Sequence, residues 1–196
     1  MTPAVRCAAI LAGGKSSRMG REKALLPFEN QPLIAHIVSV LRPVFPDIGV
    51  VTSQSIVARA AKRPAIGDRF DNRGPLGGIH AALDHFRAPT FIVACDMPFL
   101  NPDFIRFLSQ NFRQSVLVPQ NEGGFEPLHA IYLPQNIPIF ESHLRGEGKM
   151  PPLHRILEEI DVRWVPVEVA RHFDPTLRCF SNWNTPQDVA NLINSP

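Results

Sequence analysis

Between Leu11 and Lys23 the chain reads Leu-Ala-Gly-Gly-Lys-Ser-Ser-Arg-Met-Gly-Arg-Glu-Lys. Four cations (Lys15, Arg18, Arg21, Lys23) and three glycines (Gly13, Gly14, Gly20) share this stretch. Glycine lets a backbone approach a ligand closely and aim its N–H groups at it. Cations this dense repel one another unless an anion sits among them. The chemistry on offer is therefore the grip of a small polyanion, such as a triphosphate. Two familiar phosphate loops do not fit. A P-loop needs a glycine five residues before Gly14, and Ala9 stands there. The dinucleotide pattern G-x-G-x-x-G fails on the spacing of Gly13, Gly14 and Gly20. An ordinary basic surface loop is the plainer alternative.

Two further places carry chemistry. Thr90-Phe-Ile-Val-Ala-Cys95 is an apolar run that ends in Asp96-Met97-Pro98. A carboxylate just past a buried parallel strand stands where open α/β sheets bind ligands, and beside a triphosphate it is a natural oxygen ligand for Mg²⁺. Capping of the next turn is its alternative role. The second place is Gly67–Gly78, a glycine-bearing stretch containing Asp68 that is expected to lead into a helix with Ile79, Leu83 and Phe86 on its apolar side.

The elements that must hold these groups follow from periodicity. Cys7–Leu11 and Ile48–Thr52 are continuous apolar runs, expected as strands buried on both faces. Leu33, Ile34, Ile37, Val38 and Leu41 have helical spacing, closed by Pro43 and Pro46. A short helix is expected over residues 54–63 and a brief strand at Ala65-Ile66. Asn101-Pro102 supplies N-cap and first-turn residues for a helix with Phe104, Ile105, Phe107, Leu108 and Phe112 inward. Strands are expected at Val116–Pro119 and His129–Leu133, with a hairpin in the polar segment between them. Ile137–Leu144 and Leu153–Ile160 read as helices, Arg163–Glu168 as an alternating strand. Thr185, Pro186 and Asp188 have the spacing of a last helix start. Alternating strands and helices predict an α/β chain, Rossmann-like, whose mostly parallel sheet has helices on both faces. Both glycine stretches, Thr52, Asp68 and Asp96 should then meet along one sheet edge.

Composition narrows the class. The 196 residues suit a single domain over 1–196, and 44% hydrophobic content supports a sizeable core. No apolar run reaches the roughly 20 residues of a membrane helix, and no signal segment opens the chain. Cys7, Cys95 and Cys179 are odd in number and far apart, which fits a reducing cytoplasm, with Cys7 and Cys95 expected in the core. A net charge of +2 makes nucleic acid a poor partner. The 20 prolines cluster at segment ends and read as punctuation. His80 and His85 lie on different helix faces and make a poor metal pair, and all seven histidines are read as core or surface residues.

Taken together, Leu11–Gly20 with Lys23, Gly74-Pro-Leu-Gly-Gly-Ile79, Cys95-Asp96-Met-Pro98 and Asn184-Thr-Pro186 resemble the molybdenum cofactor guanylyltransferases. The resemblance spans nearly the whole chain. It implies the nucleotide-diphospho-sugar transferase-like fold and transfer of GMP from GTP to molybdopterin-bound molybdenum cofactor, with pyrophosphate released. It puts GTP on Leu11, Ala12, Gly13, Gly14, Lys23, Asp68 and Asp96. Thr52 stands where the family usually has a contacting asparagine. Asp96 would hold Mg²⁺, with Mn²⁺ the alternative metal. Arg18 and Lys23 would meet phosphates as catalytic residues beside Asp96, and Asn182 and Asn184 would face the pterin. The implied partners are GTP, the molybdopterin cofactor, and the cofactor-insertion proteins or molybdoenzymes that take the product. A monomer is expected. A cytidylyltransferase, a sugar-phosphate nucleotidyltransferase and a nucleotide-binding protein without turnover are the rivals. Related cytidylyltransferases commonly read Leu-Ala-Ala-Gly; Gly13 here leaves room for a larger base, a preference worth about 1–3 kcal/mol.

Overall fold

The computed structural model describes residues 5–13, 22–70 and 72–183. Gly14, Lys15, Arg18, Gly20, Arg21 and Asn184, with the expected helix start at Thr185, lie outside the described residues.

The first strand, β1 (Cys7–Leu11), is the apolar run read above, and Ala8, Ala9 and Ile10 are wholly buried in it. A 3₁₀ turn (Lys23–Leu25) and a small hairpin, β2 (Pro27–Phe28) with β3 (Gln31–Pro32), lead to α1 (Leu33–Leu41). All five apolar residues picked for α1 by spacing are buried. Then come β4 (Asp47–Val51), α2 (Ser55–Ala61), β5 (Ala65–Ile66), α3 (Pro75–Phe86) and β6 (Thr90–Ala94). The second half contains α4 (Pro102–Asn111), β7 (Val116–Asn121), β8 (Gly124–Phe125), β9 (His129–Tyr132), α5 (Ile137–Arg145), α6 (Leu153–Leu157), β10 (Val162–Val165) and α7 (Val167–Phe173).

The main sheet runs β10-β7-β9-β6-β1-β4-β5, with β8 paired to β7. β1 lies parallel to β4 and β6, β4 to β5, and β10 to β7. β9 runs against its neighbours β6 and β7, and the short β8 runs against β7. From β1 the chain steps through α1 and α2 toward β5. It then crosses back through α3 to β6. Right-handed crossovers in opposite directions place their helices on opposite faces of the sheet. Beyond β6 the chain continues away from β1, toward β7. The carboxyl ends of β1 and β6 therefore flank a topological switch point, the place where such sheets open a crevice.

Register brings the functional candidates to that rim. Leu11 pairs with Val51 and with Ala94, and Val51 pairs with Ile66. The four strands end level, so Gly13, Thr52, Asp68 and Asp96 leave from one edge. The hydrogen bonds Ala12 N to Val51 O (2.9 Å), Cys95 N to Leu11 O (3.1 Å) and Thr52 N to Ile66 O (3.1 Å) carry the ladders one step past the strands.

Three expectations need correction. α3 starts at Pro75, so Gly77 and Gly78 belong to its first turns and not to the loop before it. Proline fits a first helical position, and Leu76 buries there. The alternating pattern after Arg163 is two elements: β10 stops at Val165 and Pro166 starts α7, which periodicity did not reveal. α6 ends at Leu157, three residues short of Ile160. Among the described residues no helix is long and apolar enough to cross a membrane.

Candidate nucleotide site at the carboxyl edge of the sheet

Lys23 and Asp96 meet at the switch point. Lys23 Nζ lies 3.7 Å from Asp96 Oδ2, and the two side chains are 22% and 25% exposed. That is shielded enough to sharpen their charges and open enough for a ligand to reach them. Both are held from behind. Lys23 opens the 3₁₀ turn whose Ala24 is wholly buried, and Leu26 N donates to Lys23 O at 3.1 Å. The neighbouring Glu22 accepts a hydrogen bond from the Gln54 amide, which ties this segment to the end of β4. Asp96 O accepts from Trp183 N at 2.6 Å. The segment carrying Asn182 is thus pinned beside Asp96, with Asn182 exposed and Trp183 buried.

On the other side of β1, Asp68 lies against the first turn of α3. Its Oδ1 accepts from Phe70 N at 2.8 Å. A methyl on Gly77 would stand 2.5 Å from Asp68 Oδ2, and one on Gly78 would stand 3.1 Å from the Leu11 side chain. The side-chain-poor helix end is therefore a packing requirement here. Gly74, just before it, has φ +66° and ψ −158°, a conformation that only glycine takes readily. Thr52 is buried and its Oγ1 accepts from Gln54 N at 3.1 Å, so its hydroxyl serves the turn after β4. Of the sequence candidates, Leu11, Ala12, Gly13, Lys23, Thr52, Asp68, Asp96 and Asn182 fall on or beside this rim. Gly14, Arg18 and Asn184 are outside the described residues.

Cys95 is only half-buried at the end of β6; Cys7 is buried as expected. Desolvation, then the charge of Asp96, pushes the Cys95 thiol up to about 12, so it stays protonated and inert.

Sequence reasoning missed Glu126. It belongs to the β7–β8 hairpin segment expected between Val116 and His129, but the direction of β9 decides where it goes. β9 pairs antiparallel with β6, Val93 opposite His129, and Ala94 N donates to Leu128 O at 3.1 Å. Continuing that register brings Glu126 back toward Asp96. Burial raises its carboxyl to about 7, and Asp96 adds to the effect while a hydrogen bond from the Asn121 amide opposes it. An antiparallel neighbour for β6 was the missing signal, and Glu-Pro-Leu before an apolar run does not announce one.

The donors suit oxygen chemistry. Among the described residues no group of three metal-binding side chains occurs. Asp96 offers a hard carboxylate of the kind that holds Mg²⁺ together with substrate phosphates and water. The His80 and His129 side chains are both wholly buried, as core readings require. A groove of about 490 Å³ lies past Asp96, between α1 and the Pro98–Leu100 segment.

A search of known proteins agrees with this geometry. The model of the MobA-like NTP transferase domain matches residues 8–166. A molybdenum cofactor guanylyltransferase of Syntrophotalea carbinolica is 35% identical over 185 residues, covering 92% of this chain and 87% of its own. One of Vibrio cholerae is 33% identical over 189 residues, covering 92% and 88%. The crystal structure of molybdopterin-guanine dinucleotide biosynthesis protein A from Archaeoglobus fulgidus superposes with a TM-score of 0.80 at 29% identity, covering 94% of this chain and 95% of that one. A CMP-2-keto-3-deoxy-manno-octonic acid synthetase shares the fold at a TM-score of 0.67 and 15% identity. Motif order, strand-end geometry and similarity over most of the chain agree, and the chain belongs to the MobA-like NTP transferase family.

Proposed function

We propose that this chain transfers GMP from GTP to molybdopterin-bound molybdenum cofactor, forming the guanine dinucleotide cofactor and pyrophosphate. The observation that carries the reading is the Lys23–Asp96 pair at the switch point, with Asp68 and the glycine-bearing, side-chain-poor start of α3 on the adjoining rim. The two relatives cited above are named for this activity.

In this reading a phosphate oxygen of molybdopterin attacks the α-phosphorus of GTP, and the bond to the β-phosphate oxygen breaks. The attacking oxygen is already ionised at neutral pH, so no general base is required. The protein's work is alignment and charge compensation. Lys23 faces the phosphates and neutralises charge as pyrophosphate leaves, with Arg18 assisting from the basic loop. Asp68 and the backbone of Leu11–Gly14 hold the nucleoside, and Thr52 lines the same rim. Asn182 and Asn184 face the pterin. Asp96 would hold the divalent cation, Mg²⁺ or else Mn²⁺, which would supply Lewis-acid charge compensation to the phosphates. Gly13 leaves space for guanine. The product passes to cofactor-insertion proteins or molybdoenzymes, and the enzyme acts as a cytoplasmic monomer.

The test is pyrophosphate release by purified protein with Mg²⁺, GTP and molybdenum cofactor. Release with GTP that requires the cofactor is expected. Faster turnover of CTP would overturn the base assignment. Turnover with a sugar phosphate in place of the cofactor would overturn the acceptor assignment. GTP binding without any release would leave a binding protein, not a transferase.

A further inference from the structure

Behind the Asp68 rim a set of side chains joins α3 to α5, and nothing in the chemistry above uses it. Glu141, on α5, is its centre. Its Oε1 lies 3.0 Å from Nε2 of the wholly buried His80 and 3.6 Å from Arg69, and its Oε2 accepts from Arg145 at 2.9 Å. The Phe70 ring stands edge-on to His80 at 5.0 Å and 90°, and the Arg145 guanidinium lies 5.8 Å over the same ring. Arg69 also reaches Asp84 on α3 at 3.3 Å. Arg73 extends the tie: it donates to Gly146 O at 2.6 Å and to Gly148 O at 3.2 Å.

Asp68, Arg69, Phe70 and Arg73 thus belong to one strap between β5 and α3. One end of the strap presents the Asp68 carboxylate to the rim. The other is fastened to α5 and to the connection after it. A surface ion pair alone stabilises little. This group differs because a wholly buried histidine and a ring packed on it fix where Glu141 and Phe70 stand. The hydrogen bonds from Arg145 and His80 hold the Glu141 carboxyl below its usual range, so it stays charged.

We propose that Glu141 is a positioning residue for nucleotide binding: through His80, Arg69 and Arg145 it fixes the Asp68 strap, and Arg73 secures the same strap to the Gly146–Gly148 connection. This rests on the reading of Asp68 as a nucleotide contact. It predicts a split that a merely structural pair would not show. Asp96 leaves β6, on the far side of β1 from β5, and Lys23 Nζ reaches it there, so chemistry should be spared while GTP affinity falls.

The experiment compares wild type, Glu141→Gln, Glu141→Ala and Arg73→Lys by GTP titration calorimetry, steady-state kinetics and thermal melting. Glu141→Gln keeps an acceptor for His80 and loses the charge that faces the arginines. A fivefold or greater rise in Kd and KM for GTP is expected for it, larger for Glu141→Ala, with kcat within twofold of wild type. Arg73→Lys, which removes the two-carbonyl fork, should raise KM for GTP in the same way without lowering the melting point. Variants that bind GTP like wild type overturn the positioning role, as does a fall in kcat at constant KM. A wild-type chain that does not bind GTP overturns the functional reading itself, and this inference with it.

Discussion

At the scale of single residues, the charges at the switch point and the missing side chains at α3 make separate demands. Asp96→Asn keeps the shape of the strand end but removes the carboxylate. Loss of metal-dependent turnover by roughly 10²–10³-fold is expected, the usual loss on removing one electrostatic stabiliser. Circular dichroism should be unchanged. Lys23→Ala should lower kcat/KM in the same assay, and an unaltered value would remove Lys23 from the mechanism. Gly77→Ala tests the rim from the other side. Alanine favours a helix by about 1 kcal/mol over glycine. Its methyl, however, meets Asp68 Oδ2 at 2.5 Å and pushes the carboxylate aside. Stability should therefore hold while KM for GTP rises roughly tenfold, the effect of losing one charged hydrogen bond. Melting curves beside kinetics separate the two.

At the scale of elements, α4 shows how much one cap secures. Asn101 Oδ1 accepts from Asp103 N (3.0 Å) and Phe104 N (2.9 Å), and its Nδ2 donates to Phe173 O (3.0 Å). Asn101→Ala loses both the cap and the tie to the end of α7. A loss of about 1–2 kcal/mol is expected in urea denaturation, with m unchanged. This cap was legible in the sequence, because Asn-Pro before an amphipathic run names a helix start by chemistry. So were β1, β4 and α1, whose apolar spacing admits one reading. Where two signals overlapped, the sequence was silent. Trp164-Val165-Pro166-Val167 alternates like a strand, yet proline begins α7 in the middle of it. Gly77 and Gly78 have loop propensity, but burial of Leu76 and Ile79 keeps them helical. Asp68 and Asp96 could be found because parallel strands end in loops on one edge. Glu126 could not, since its place depends on β9 running the other way.

At the scale of the whole molecule, the aromatic core between β6, β9, α4 and the segment after α7 sets an acid limit. The wholly buried His129 ring lies 5.1 Å from Phe91, 5.7 Å from Phe104 and 5.3 Å from Phe180. Burial lowers its pKa to about 3 from 6.5. The folded chain keeps this ring neutral while the unfolded chain protonates it below pH 6.5. The stability is therefore complete above pH 6.5 and is lost as pH falls toward 3, at up to about 1.4 kcal/mol per pH unit from this one group. Glu126, its carboxyl raised to about 7, contributes the opposite slope between pH 7 and 4.5, so denaturation at pH 7.5, 5.5 and 4.5 reads the difference of the two, and His129→Phe should shift the slope toward greater stability in acid. A variant with an unchanged slope would place the acid sensitivity elsewhere.

The contact between the Lys23 ammonium and the Asp96 carboxylate has a kinetic corollary. On the proposed reading, a bare cation arriving alone competes with an ammonium already resting against Asp96. A cation escorted by a nucleotide brings the ammonium a replacement anion in the same encounter. In that reading, divalent-cation binding at Asp96 should therefore be weak without nucleotide and strengthen with it, which Mg²⁺ titration with and without GTP checks.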